Sequence, residues 1–285
     1  MSTTTGSAVR STARLRRTKL QKFLGNKELW RGIVALIVFI VLWETGSRWN
    51  QWFGYTLPWI GKVPPPSSVA ATWTDFIPQL SYWQSWYFSF QRVLGGFVAA
   101  MIVGIPFGLL LAVNRYFRGI FFPPFEVLRP IPPLAWVPAS LIFWPTQELS
   151  ITFVTFLGAF FTIVLNVLGG ARSLDIRYLR AAQSMGATQW DLFRKIILPG
   201  TLPSIFTGAA VGMGITWAVV LAAEMISSGG TKEGGGLGFF IWNSYIGGDM
   251  NQIVVGMISI GIAGYLSSAL IRVIGDRAMP WRRLF

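Results

Sequence analysis

The stretch RAAQSMGATQWDLFRKIILP at residues 180–199 is polar and helix-forming, although it lies between two long apolar runs. Gly186 is expected to end a first helix, because glycine adopts a left-handed backbone conformation at little cost. A second helix is predicted to start directly afterwards, with Thr188 as its N-cap and Asp191, three residues later, as the capping-box partner. The pattern predicts two short helices at an angle on the membrane surface, and we call residues 171–199 the elbow.

Apolar residues give each arm of the elbow one hydrophobic side. On the first arm they recur at the spacing of a single helix face, at Leu174, Tyr178, Ala181, Ala182 and Met185. On the second arm Trp190, Phe193 and Ile197 fall on one side, and Pro199 and Pro203 are expected to end the helix. A helical hairpin that merely caps a bundle is the alternative interpretation.

The composition is that of a membrane protein. Of the 285 residues, 53% are hydrophobic and 12% are charged, and about 20 mostly apolar residues suffice for one membrane-spanning helix. Six such runs occur, at residues 32–49, 93–113, 119–144, 150–170, 202–226 and 252–274. The prediction is an all-α polytopic membrane protein with one transmembrane domain, residues 31–285, after a disordered basic cytoplasmic tail, residues 1–30.

The positions of the basic residues predict the orientation. If both termini and the elbow face the cytoplasm, nineteen Lys and Arg lie inside and three outside, which follows the positive-inside rule. Anionic lipid head groups are then a sufficient partner for the net charge of +13, and no nucleic acid is expected. The first 24 residues contain no acid, so an organelle transit peptide is the alternative for that segment.

The chain contains no Cys and no His. Thiol nucleophiles, imidazole bases and nearly every transition-metal site are therefore excluded, and neither a catalytic centre nor a cofactor or metal is expected in this chain. The sequence also lacks a Gly-x-x-x-x-Gly-Lys-Ser/Thr nucleotide loop. Any ATP that drives this protein must be hydrolysed by a partner.

Small residues recur at every fourth position in two of the predicted spans. In the second span these are Gly96, Ala100 and Gly104. The fifth span carries two such pairs, Gly208 with Gly212 and Ala210 with Gly214. Small-residue stripes let helices approach closely in lipid. The stripes in the fifth span could alternatively form a contact between subunits.

Prolines crowd the third predicted span, where each one removes a backbone hydrogen bond. Unpaired carbonyls in a bilayer are tolerated only where they face protein or a water-filled path. This span is therefore the first candidate for lining a translocation route. The candidate path residues, here and in the fifth span, are Glu126, Arg129, Pro132, Pro133, Trp136 and Glu224.

Intramembrane charges have competing interpretations. Glu44 is expected to pair with Arg48 at the interface. Glu126 and Arg129 are three residues apart, so a structural pair and a path-lining role remain equally open. Glu224 has no cationic neighbour in sequence and meets either Lys232 or a group in the path, where a carboxylate would gate or hold helices more readily than bind an anion.

The spacing of Ala181-Ala182, Gly186, Ile196 and Leu198-Pro199 resembles the signature loop of binding-protein-dependent ABC importer permeases. Arg180 stands where that pattern usually has Glu, which puts a Glu-mediated ATPase contact in doubt. Residues 128–138, 223–225 and 236–242 resemble the nitrate, sulfonate, taurine and bicarbonate branch of this family, and the likeness covers about residues 65–275.

This resemblance implies about six transmembrane helices in the type I permease arrangement and a bacterial plasma-membrane location. It implies a non-catalytic permease for a small anion that pairs with a second permease, as a homodimer or alternatively a heterodimer. Its other partners are two cytoplasmic ATPases, which bind ATP and Mg, and an extracytoplasmic binding protein. The residues it assigns to ATPase coupling are Arg180, Ala181, Ala182, Met185, Gly186, Trp190, Leu198 and Pro199.

Two other functions remain as alternatives. The same class of permease could carry another small compound, such as a thiamine-precursor pyrimidine or an aromatic acid. A different class is an ion-coupled secondary transporter that uses Glu44, Glu126 and Glu224, although such carriers tend to show internal repeats and none is evident here.

Overall fold

The computed structural model describes residues 27–55, 57–227 and 235–281, and these residues form helices and no strand. The helices are α1 Lys27–Phe53, α2 Pro66–Phe76, α3 Leu80–Val113, α4 Arg115–Leu128, α5 Val137–Phe143, α6 Gln147–Arg172, α7 Ile176–Ser184, α8 Gln189–Leu192, α9 Leu198–Ser227, α10 Leu237–Ile246 and α11 Met250–Ala278. Short 3-10 turns lie at Ile60–Lys62 and Pro133–Trp136, and a π-helical turn lies at Phe193–Ile197. The predicted tail lies outside the described residues except for 27–30, which are the start of α1.

Contacts divide the chain into two units, residues 1–71 and 72–285. In the first unit α1 is apolar and carries an ion pair near its end. The Glu44 carboxylate accepts a hydrogen bond from Arg48 Nε at 2.5 Å and another from the Ser67 backbone N–H at 3.1 Å. The expected Glu44–Arg48 pair is formed, and it also holds the start of α2.

Five helices are long and apolar enough to cross a membrane: Trp30–Phe53, Leu80–Val113, Gln147–Arg172, Gln189–Ser227 and Met250–Ala278. The prediction of one continuous helix at 119–144 is wrong. Helix α4 ends at Leu128, and a 3-10 turn that starts at Pro133 leads into α5. Pro130, Pro132 and Pro133 cause the break, because proline has no N–H to donate and clashes with the preceding turn.

The packing of α3 on α6 shows that the two helices are parallel. Gly96 approaches Thr152 and Phe156, whereas Gly108 approaches Val164 and Val167, further along both helices. Residues 114–146 must therefore return the chain along the length of α3. We call residues 115–143 the broken crossing, because they replace the predicted third helix.

Helix α9 runs antiparallel to α6. Gly158 in the middle of α6 faces Val219 near the end of α9, and Gly170 near the end of α6 faces Ser204 near the start of α9. Helix α11 is in turn antiparallel to α9. The elbow, the end of α3 and the end of α11 therefore lie at one end of the second unit, and the starts of α3, α6 and α11 lie at the other.

Small residues form most of these helix contacts as predicted, but a Cβ on Gly214 would meet none of the described residues within 4 Å, so the predicted Ala210–Gly214 pair makes no close helix contact there. A Cβ on Gly96 would lie 2.8 Å from the Thr152 carbonyl oxygen, and Ala100 is fully buried. Gly208 faces Asn166 and Gly212 faces Ala159 in the same way. The stripes allow backbones to meet in a core whose buried side chains include Phe97, Val154, Ile163, Met213 and Trp217.

Candidate functional site

The elbow has the two arms that its local sequence predicts. Helix α7 ends at Ser184, and Gly186 follows with a φ of +86°. The Thr188 hydroxyl accepts the Asp191 backbone N–H at 3.2 Å, and the Asp191 carboxylate accepts the Thr188 backbone N–H at 3.2 Å. Both halves of the capping box are therefore present, and they set the second arm at a new angle directly after the glycine.

The second arm does not end at Pro199 or Pro203, which corrects the prediction. Helix α8 passes through the π-helical turn into α9, in which Pro203 is an interior residue. In the π turn the Leu198 N–H donates to the Phe193 carbonyl, five residues back. This wider turn carries the chain past Pro199, which has no N–H to donate. The elbow is therefore joined to a transmembrane helix without a flexible link.

Exposure differs along the residues predicted for ATPase coupling. Met185 and Trp190 are largely exposed, at 82% and 66%, and Arg180, Ala181 and Gly186 are exposed as well. Ala182, Leu198 and Pro199 are partly buried, and Leu198 packs against the main core. One side of the elbow is thus available to a partner while its base is anchored in the bundle.

An apolar groove lies between the elbow and the end of α3. Its volume is about 660 Å³, and its walls include Pro106 and Leu110 from α3 and Trp190 and Phe193 from the elbow. Because these are side chains of two different elements, a change in the elbow's angle would alter the groove directly.

A buried ion pair lies at the opposite end of the bundle. Arg92 of α3 donates from Nη1 to Glu224 Oε1 of α9 at 2.8 Å, and the two side chains are 3% and 0% exposed. The Ser89 hydroxyl also donates to Glu224, at 2.8 Å, and the Gly238 backbone N–H donates to it at 2.9 Å. Ser89 accepts the Leu237 N–H in turn, so helices α3, α9 and α10 meet at one carboxylate.

The glycines before and within α10 make room for this carboxylate. A side chain at Gly236 would overlap the carboxylate of Glu224, and one at Gly238 would overlap both Glu224 and the Leu221 carbonyl. Close packing against Glu224 therefore explains why glycine occupies positions 236 and 238, and the sequence alone does not show this contact.

A second carboxylate binds the other edge of Arg92. The Nε and Nη2 groups donate to the two oxygens of Glu148, in the first turn of α6, with the Nε contact at 2.8 Å. This is the bidentate geometry that makes arginine–carboxylate pairs strong. Glu148 is 57% exposed, so the pair extends from the buried interior to the surface.

The other predicted path residues lie in or beside the break of the third crossing. Arg129 Nη1 contacts Glu126 Oε1 at 3.0 Å, and both side chains are more than two-fifths exposed. Pro132 precedes the 3-10 turn that Pro133 begins and Trp136 ends, and Trp136 packs against the main core with its indole N–H buried. Within the described residues, no hydrogen bond or ion pair joins Glu126 or Arg129 to Glu224.

Sequence reasoning missed Ser89, Arg92 and Glu148. Two signals were present, because Arg92 is a charge directly before the apolar run 93–113 and Ser89 lies three residues before it on the same helix face. Lys232 was one predicted partner of Glu224, and it lies outside the described residues. Within the described residues, Arg92 is the cation that pairs with Glu224. Within the described residues, no group of three acidic side chains could hold a metal ion.

Comparisons with known proteins agree on one family. Residues 104–283 match the family model described as binding-protein-dependent transport system inner membrane component. The nitrate import permease protein NrtB of Leptolyngbya laminosa is 36% identical over 192 residues, covering 67% of each chain. The bicarbonate transport system permease protein CmpB of Synechococcus elongatus is 36% identical over 200 residues, covering 70% of this chain and 67% of the relative.

Two further matches cover a larger share of this chain and of the matched protein. The taurine transport system permease protein TauC of Escherichia coli is 31% identical over 265 residues, covering 90% of this chain and 91% of the relative. A solved structure of the MetNI methionine ABC transporter matches with a TM-score of 0.53 and 24% identity, covering 72% of this chain and 97% of that chain. The structural likeness supports the fold.

Proposed function

Because the chain belongs to the family of binding-protein-dependent transport system inner membrane components, we propose that it is the permease subunit that carries a small oxyanion in an ATP-driven importer. It is a multi-pass membrane protein and not an ATPase. The named relatives handle nitrate, bicarbonate and taurine, which all carry two or more oxygens on one central atom. That shared chemistry is the substrate class proposed for this chain.

The observation that carries this proposal is the elbow. Its side chains Met185 and Trp190 are exposed, while Phe193 and Leu198 anchor it to the core of a transmembrane bundle. A rigid elbow with an exposed apolar surface suits a separate protein that pushes on it, because the push passes through the π turn into α9. Two-state switching of helices by such a push is a recognised mode of conformational change.

The assembly that follows has four kinds of component. Two copies of this chain form the transmembrane part, and two cytoplasmic ATPases bind ATP and Mg and contact the elbows. A binding protein outside the membrane delivers the anion, and anionic lipids surround the basic residues on the cytoplasmic side. The location proposed is the bacterial plasma membrane, with the elbow and both termini in the cytoplasm.

The test is to reconstitute the chain with its ATPase and binding protein and to replace Gly186 by Pro. Gly186 has a positive φ, and its N–H donates to Gln183; proline permits neither. Gly186→Pro is expected to abolish anion uptake and substrate-stimulated ATP hydrolysis, while membrane insertion is unchanged.

Gly248→Pro is the matched control. Gly248 also has a positive φ, of +72°, and its N–H donates to Tyr245, but it lies after α10, away from the elbow. This variant carries the same backbone cost and should keep ATP hydrolysis coupled to substrate. Normal substrate-stimulated hydrolysis by Gly186→Pro would contradict the proposal.

The ion-coupled alternative predicts a different energy source. Glu44, Glu126 and Glu224 each form an ion pair with an arginine, so each of these carboxylates already has a structural partner. Uptake that stops on ATP depletion and survives collapse of the proton gradient supports the importer. Competition by unlabelled nitrate, thiamine-precursor pyrimidines and aromatic acids then separates the substrate classes.

A further inference from the structure

The guanidinium group of Arg92 has two carboxylate partners that are held very differently. Glu224 is fully buried and receives hydrogen bonds from Ser89 and Gly238 as well as from Arg92. Glu148 is 57% exposed, and among the described contacts its carboxylate meets only Arg92. Glu148 reaches solvent and, among the described residues, is held through Arg92 alone, whereas Glu224 is buried and held by three groups, so the bond to Glu148 is the one that can open.

We propose that the Nε–Nη2 edge of Arg92 is a binding site for a small oxyanion, and that Glu148 occupies this edge until the anion displaces it. This inference rests on the proposed function and specifies where in the chain the cargo is recognised. The carboxylate of Glu148 is a planar group with two oxygens on one atom. Nitrate and bicarbonate present the same pair of oxygens, and a sulfonate presents an equivalent pair, so each matches the arginine fork.

The exchange leaves the charge of the cluster unchanged. At present one cation, Arg92, lies between two carboxylates. When a monovalent oxyanion replaces Glu148, Arg92 again lies between two negative groups, and Glu148 moves into solvent. The buried partner, Glu224, keeps its bonds throughout, so Arg92 remains in position and no buried charge is left without a partner.

A polar cavity lies on the same face of α3 as Arg92. Its volume is about 300 Å³, and Ser81, Ser85 and Phe88 of α3 lie on its wall. These residues share one helix face with Arg92, whose guanidinium lies 5.9 Å from the centre of the Phe88 ring. The cavity wall also includes the neutral side chains of Asn243 and Gln252. Neutral donors attract an anion weakly, which suits a passage that must also release it.

The position in the bundle agrees with a role at the point of entry. Glu148 lies in the first turn of α6, and the last turn of α6 leads into the elbow. A helix of 26 residues is about 39 Å long. The Arg92 site is therefore at the end of the bundle opposite the elbow, where a binding protein outside the membrane would release its anion.

The test is the thermal unfolding of the purified full-length chain in nanodiscs, without ATPase or binding protein. Nitrate and methanesulfonate are titrated at constant ionic strength made up with chloride. In Glu148→Ala the competing carboxylate is gone. We expect the oxyanions to raise the Tm of this variant at roughly tenfold lower concentration than they do for the native chain, because the native site is occupied by its own side chain most of the time.

Two further variants act as controls. One distinguishes the effect of the Glu148 charge from that of its side-chain shape, and the other distinguishes the effect of the Arg92 charge from that of its two parallel N–H donors. Glu148→Gln removes the charge with the smallest change in shape, and it should show the same gain in anion sensitivity. Arg92→Lys combined with Glu148→Ala keeps a positive charge but loses the fork, and it should lose the oxyanion effect. Since general salt effects act on all variants alike, only the difference between them is interpreted.

A reporter inside the cavity gives a second measurement. The chain has no cysteine, so Ser85→Cys introduces a single thiol on the cavity wall. Nitrate should slow alkylation of this thiol in the Glu148→Ala background and leave the rate unchanged when Arg92→Lys is added to that background.

Equal Tm shifts in Glu148→Ala with and without the Arg92→Lys change would overturn the site. That result would leave the proposed function standing, because ATP-dependent uptake by the complete transporter is measured separately. Conversely, an Arg92-dependent oxyanion effect in a chain whose uptake needs no ATP would support the site and contradict the importer.

Discussion

Arg92 on α3 and Glu224 on α9 form an ion pair of 2.8 Å between Nη1 and Oε1, and both side chains are buried. The pair joins helices through residues that are 132 positions apart in sequence. It therefore holds α3 to the end of α9, beside the proposed anion site.

Arg92→Met is expected to destabilise the protein strongly. Removal of one partner of a buried pair leaves an uncompensated charge, which costs about 3–5 kcal/mol. Arg129→Met is the matched control, because its pair with Glu126 is exposed and such pairs contribute about 0–1 kcal/mol. Thermal unfolding in detergent measures both. Equal losses in the two variants would show that the buried pair is not a structural tie.

Gly96→Ala is expected to separate α3 from α6. The added Cβ would lie 2.8 Å from backbone atoms of Thr152 and Phe156, and backbone cannot move aside cheaply. Overpacking of this kind costs about 1–3 kcal/mol. Gly119→Ala in α4 meets nothing within 4 Å and should be neutral or slightly stabilising. Unfolding midpoints that do not differ between these variants would contradict the close approach.

Thr188→Ala is expected to loosen the second arm of the elbow. Loss of an N-cap side chain costs about 1 kcal/mol, and the Asp191 N–H loses its acceptor. Hydrogen exchange at that amide should accelerate, and ATPase coupling should weaken. Ser184→Ala is the control, since that hydroxyl only bonds the Arg180 carbonyl within α7. Similar exchange rates in both variants would mean that the capping box does not hold the elbow.

Trp190→Ala is expected to weaken association with the ATPase and to leave the fold intact. The side chain is 66% exposed, and an interface hot spot is worth about 2 kcal/mol or more, roughly a thirtyfold change in affinity. Binding of purified ATPase to the chain in nanodiscs measures this change. Tyr87→Ala is the control, because Tyr87 is equally exposed, at 65%, near the opposite end of the bundle. A comparable loss with Tyr87→Ala would contradict a specific contact at the elbow.

The broken crossing shows how much of the fold could be predicted from the sequence. The prolines at 130, 132 and 133 indicated a weakened helix, but a run of apolar residues at 119–144 still suggested one span. Apolar length alone does not distinguish a continuous helix from two short ones. The parallel packing of α3 and α6, seen at Gly96 and Gly108, shows that these residues nevertheless return the chain through the bundle.

The amino-acid sequence by itself determined the elbow. The positive φ of Gly186 and the reciprocal bonds of Thr188 and Asp191 involve residues within about one helical turn of one another, and such local signals act before any tertiary contact forms. The small-residue stripe of α3 was also readable, because its period is that of the helix. The continuous helix at Pro199 could not be predicted from the sequence, since a π turn depends on how α9 packs against neighbouring helices.

Only the tertiary structure decided which charges meet. Arg92 is 56 residues from Glu148 and 132 residues from Glu224, and nothing in the local pattern pairs them. They come together because α3 and α6 pack in parallel and α9 packs in the opposite direction, which brings the first half of α3, the first turn of α6 and the end of α9 to the same place. Burial then makes each charge costly unless it is paired, so helix packing selected the partners that sequence spacing could not indicate.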